Sequence, residues 1–150
     1  MRRGELPWRD GLIMDSDDRF LATFEAAELT PDSFRHREHL RVAYIYLTRH
    51  PFEVAREKME CGLRNLLAKF GAPPSAYHET MTSAWLLAVA HFMHTCGPTA
   101  SFGEFLEAGG ARLLEKEIMA THYSAALLAS DAARERFVEP DLQRIPQHVG

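Results

Sequence analysis

The chain is poor in the residues that mark specialised protein classes. It has 2 cysteines in 150 residues, Cys61 and Cys96, which form no Cys-x-x-Cys unit. Neither a disulfide framework nor a zinc ribbon is therefore expected. It lacks a positive excess, since 17 Lys and Arg face 21 Asp and Glu for a formal charge of -4. The field that supplies most non-specific nucleic-acid affinity is missing, and nucleic acid is not an expected partner. Its longest apolar run, Ala84 to Ala90, stops at His91, whereas a membrane span needs about 20 apolar residues. Met1 to Trp8 has basic residues with no apolar stretch behind them, so no secretory leader and no membrane are expected and the expected location is cytoplasmic. Absent too are Gly-x-Ser-x-Gly, a Walker loop and Gly-x-Gly-x-x-Gly, so no nucleotide cofactor is indicated.

What the chain has is helical periodicity without β-branched alternation, which predicts an all-α, single-domain bundle of about four longer helices. Residues 1 to 14 read as an extended lead-in, 15 to 137 as the helical domain and 138 to 150 as an extended tail broken by Pro140 and Pro146. The first helix opens at Ser16-Asp17-Asp18 and carries Phe20, Leu21, Phe24 and Ala27 at helical spacing. A second runs from about Ser33 to His50 on a stripe of Leu40, Ala43, Tyr44 and Leu47. Pro51 opens a third, which ends at Gly71. The fourth, about Tyr77 to His94, is apolar on nearly all sides and reads as a central element. Short C-terminal helices follow Ser101, Ser124 or Ser130, and Gly62 inside the third helix reads as a point of close helix approach.

The chain also has 8 histidines, side chains suited to neutral metal ligation or to proton transfer near neutral pH. His36 and His39 sit three apart on the apolar side of the second helix, where side chains are neighbours. His78 shares a face with Met81, Trp85, Ala88 and Phe92 at the start of the fourth. If the second and third helices, of similar length, form a tight hairpin at His50-Pro51, the starts of the second and fourth helices meet. His36, His39 and His78 would then converge at one end of the bundle, with Glu79 beside them. That set is expected to hold a divalent metal (zinc, iron, manganese or nickel), with Glu79 as ligand or base, or to do metal-free acid–base chemistry on a small molecule. Phe34, Tyr44, Tyr77 and Trp85 would wall the pocket. The alternatives are partly buried histidines with structural bonds in a non-enzymatic binding or regulatory module. His91-x-x-His94-x-Cys96 is a weaker ligand pattern, and Ser124 reads as a helix cap, not a nucleophile.

The combination Phe34-x-His36-x-x-His39-Leu40-x-x-Ala43, Tyr77-His78-Glu79-Thr80-x-Thr82 with Trp85, Tyr123-Ser124 and Val138-x-Pro140-Asp141-Leu142 resembles a family of small uncharacterised bacterial helical proteins. The resemblance spans about residues 20 to 142. It implies that these patterns travel together, and it attaches no reaction, cofactor or oligomeric state to them.

Overall fold

A computed structural model describes residues 16–147. They form an all-α bundle with no strand among the described residues. Four longer helices, α1 (Ser16–Glu25), α2 (His36–Arg49), α3 (Phe52–Lys69) and α4 (Glu79–Cys96), are followed by short ones: α5 (Phe102–Glu107), α6 (Ala125–Leu128) and α7 (Asp131–Glu135). Two 3₁₀ segments, Gly110–Leu114 and Lys116–Thr121, occupy the stretch after Gly109. The lead-in expected for residues 1–14 lies outside the described residues.

The capping residues act where their chemistry suggests. Ser101, Ser124 and Ser130 each accept a hydrogen bond from the backbone N–H three residues on, so α5, α6 and α7 all start at a serine. Both serines considered for the last helix are thus used, giving two short helices in place of one. Helix α2 starts later than expected, at His36, because Thr30 first caps a separate 3₁₀ turn over Pro31–Ser33. At the far end of α3, Gly71 takes a φ of +82° and lets the chain leave toward α4.

Burial differs from the expected stripe. Helix α2 buries Val42, Ile45 and Tyr46 as well as Leu40, Ala43 and Tyr44, so it is enclosed on nearly all sides, with α1, α3, α4 and α5 around it. Both α2 and α4 are therefore central. On one flank Asp17 joins three elements, accepting from Arg41 Nε at 2.8 Å and from the Phe102 backbone N–H at 2.9 Å. Charged hydrogen bonds of this kind are stronger than neutral ones and tie α1 to α2 and α5. The 138–147 stretch has no helix, as its prolines require, but it is not a loose surface tail. Ile145 is buried against Met119 and Tyr123, and Val138 N–H donates to Thr80 Oγ1 at 3.1 Å.

Gly62 is the contact point of α3 with α1. A Cβ built there would stand 2.3 Å from Cε2 of Phe24, a ring with no solvent exposure. Gly62→Ala should therefore cost about 1–3 kcal/mol through overpacking. Chemical denaturation of Gly62→Ala, Phe24→Leu and the double variant checks this. The second substitution should cost less in the presence of the first, and simple additivity would contradict the contact.

Candidate functional site: a histidine-lined cavity

The α2–α3 hairpin turns at His50-Pro51, and α3 returns so that its second half faces the starts of α2 and α4. Between them lies a cavity of ≈ 500 Å³, within the range of small-molecule sites. Met59, Leu63, Leu66, Leu67 and Phe70 of α3 form one wall, and Phe34, Tyr77, Met81, Trp85 and Leu86 form much of the rest. His36, His39 and His78 all line it, together with Arg35 and Lys116. Tyr44 is not a wall residue. Its ring stacks on Phe105, with centroids 5.0 Å apart, and its hydroxyl bonds Thr99 on the other side of α2.

The three histidines differ in what they bond. His78 is the N-cap of α4: its Nδ1 accepts from Met81 N–H at 3.1 Å, and its Nε2 donates to the Leu128 carbonyl at 2.8 Å. With Nδ1 an acceptor, the ring is fixed in the Nε2–H tautomer and both nitrogens are engaged. His36 donates from Nε2 to the Leu113 carbonyl at 2.8 Å and packs edge-on to Trp85, with centroids 4.5 Å apart. Desolvation lowers its pKa below the ordinary value, offset in part by the Leu113 bond, with the Lys116 charge lowering it and Glu117 raising it.

His39 bonds nothing through its ring among the described residues. It lies against Phe34, with centroids 4.3 Å apart, and its residual exposure opens on the cavity it lines. Burial, with a smaller contribution from His36, lowers its pKa to about 4. At neutral pH it is an uncharged imidazole with one N–H donor and one lone-pair acceptor, both unused.

Glu79 does not join this group. His78 is the extended N-cap and Glu79 the first residue of α4, and the Glu79 side chain lies toward α3. Its Oε1 accepts from Tyr77 Oη at 2.9 Å, and its Oε2 from Ser83 Oγ at 2.7 Å and Arg56 Nη1 at 3.2 Å. These contacts make Glu79 an anchor of α4 on α3, and with Glu60 they complete a charge network around Arg56. The four-residue ligand set expected from the sequence therefore does not assemble. His78 has no lone pair left, Glu79 faces away, and no three His, Cys, Asp or Glu side chains among the described residues are grouped to hold a metal ion. His91 and His94 lie toward the opposite end of α4, lining a separate hollow with His50, while the Cys96 thiol donates to the Ala108 carbonyl. Ser124 is a cap, as expected, and its hydroxyl also donates to Asp141 at 2.6 Å.

Lys116 and Arg35 had not been singled out in the sequence. Arg35 precedes His36 in the histidine motif itself. Lys116 carries no such signal, because it reaches the cavity only through the irregular segment after Gly109. The chain matches no protein-family model, no curated protein and no solved structure.

Two outcomes follow from the histidine bonding. His78→Ala removes a helix cap and leaves the Leu128 carbonyl without its donor, and should cost about 1–3 kcal/mol in denaturant unfolding. His78→Asn, which can still cap, should recover part of that loss; equal stability of all three proteins would contradict the role. For His39, the unfolded ring protonates near 6.5 but the folded ring only near about 4. The unfolded state then binds more protons between those values, so stability is fully present above about pH 6.5 and is lost as pH falls through about 4. The loss is on the order of 3 kcal/mol and should shrink in His39→Phe; an unchanged pH profile in that variant would contradict it.

Proposed function

We propose that the protein is a binding module for a small, largely apolar molecule, held in the α2–α3–α4 cavity with its polar group hydrogen-bonded to His39. The observation that carries this is the unpartnered imidazole on an otherwise well-bonded wall. A fully buried polar group without a partner costs about 1–3 kcal/mol; His39 is half-buried, so a ligand donor or acceptor would recover part of that. His78 has both ring nitrogens engaged and His36 has its Nε2 engaged, so His39 is the one of the three with no ring hydrogen bond among the described residues.

Binding is favoured over general-base catalysis by the same environment. A base works best with a pKa near the working pH, and burial holds His39 far below it. The engaged nitrogens of His78 likewise weigh against a metal-dependent reaction. The two cysteines are free thiols, with Cys61 exposed, which suits a reducing, cytoplasmic setting. No helix among the described residues is long and apolar enough to cross a membrane.

The test uses Trp85, a wall residue, as reporter. Trp8→Phe leaves Trp85 the sole tryptophan of the 2 in the chain. Titration with 1-octanol should give a saturable fluorescence change, blocked by Thr82→Phe, which fills the cavity. His39→Leu should weaken it about two- to tenfold, the equivalent of one hydrogen bond. A folded chain with no saturable response would overturn the proposal.

A further inference from the structure

The charges around the cavity are one-sided. Arg35 and Lys116 line it, and no Asp or Glu among its described lining residues opposes them. The starts of α2 and α4, helices of 14 and 18 residues, both face it. A helix start carries a partial positive charge from its unpaired N–H groups. Of the acids in those two first turns, Glu38 folds back on the α2 start, where its Oε1 accepts from the Arg35 backbone N–H at 2.8 Å and offsets that end, while Glu79 is held away from the cavity by Arg56, Tyr77 and Ser83. Asp32 engages Arg35 only loosely, at 3.8 Å on an exposed surface, and Glu117 acts on His36 without lining the cavity. Lys116 has no ion-pair partner closer than 4 Å among the described residues.

A second observation, independent of charge, is the half-buried His39 ring, which lines the same space and makes no ring hydrogen bond among the described residues. An apolar wall, a lining cation without an ion pair among the described residues and a neutral imidazole together match one ligand chemistry. We infer that the cavity takes an apolar molecule bearing a carboxylate, its hydrocarbon part against the α3 wall and its head group between His39 and Lys116. An alcohol would use the His39 bond alone, and a cation would meet only like charge. The inference rests on the cavity being a binding site and specifies what enters it.

The probes are octanoate, 1-octanol and octyltrimethylammonium, titrated into the Trp8→Phe chain with Trp85 fluorescence, and with circular dichroism to verify the fold. Octanoate should bind about three- to tenfold tighter than 1-octanol, the range expected of an exposed cation and helix dipoles acting together. Added salt should narrow that gap, and the cationic probe should bind weakest. Lys116→Met, at an exposed position, should remove most of the octanoate preference and leave 1-octanol binding intact. If 1-octanol saturates but octanoate binds no tighter, or if Lys116→Met with Arg35→Gln keeps the full preference, the carboxylate inference falls and the binding site stands. If none of the probes saturates the folded chain, both fall.

Discussion

Two imidazole-to-carbonyl hydrogen bonds hold the cavity end of the molecule in place. His36 reaches the carbonyl of Leu113 and His78 that of Leu128, each at 2.8 Å, across sequence separations of 77 and 50 residues. The irregular stretch after α4 has no long helix to pack, so its position depends on such individual bonds and on buried side chains such as Phe105, Leu113, Tyr123 and Ile145. Because His78 also caps α4, one ring fixes both the helix start and the segment laid over it. Protonating or removing that ring would disturb the two together.

This division of labour is what isolates His39. A buried imidazole normally finds a donor or acceptor, and its two companions show how the fold provides one. His39 instead rests on Phe34 and faces a space bounded by α3. The depressed pKa comes from burial among apolar side chains, whereas the missing protein partner comes from the space the chain leaves beside the ring. The charges at the rim follow from topology, since a tight α2–α3 hairpin brings two helix starts to the same end of the bundle. Glu79 turns to Arg56 on α3, and the cavity's charged lining consists of Arg35 and Lys116.

Much of the fold was legible in the residues themselves. Serine caps, Gly71, Pro51 and the apolar spacings marked where helices begin and end, and the matched lengths of α2 and α3 brought the three histidines to one place. What was not legible is equally specific. The acceptors of His36 and His78 are backbone carbonyls, which carry no side-chain signature, so the sequence offered no reason to divide three similar histidines into two fixed and one open. Adjacency in sequence suggested that Glu79 would accompany His78, yet the helix starts between them and Glu79 turns to Arg56. The full enclosure of α2 was missed because Val42, Ile45 and Tyr46 lie off the stripe that defined its inner face, and Tyr46 is covered by Phe24 and Glu25 of α1.

The central claim is that His39 is a buried, uncharged and unbonded ring while His78 is locked by two hydrogen bonds. Long-range proton–nitrogen correlation spectra of the histidine rings, followed over pH, test it directly. They should show His78 as the Nε2–H tautomer and His39 staying neutral until the pH approaches about 4. A His39 ring that titrates near its ordinary value of 6.5, or a His78 ring that exchanges between tautomers, would contradict the account.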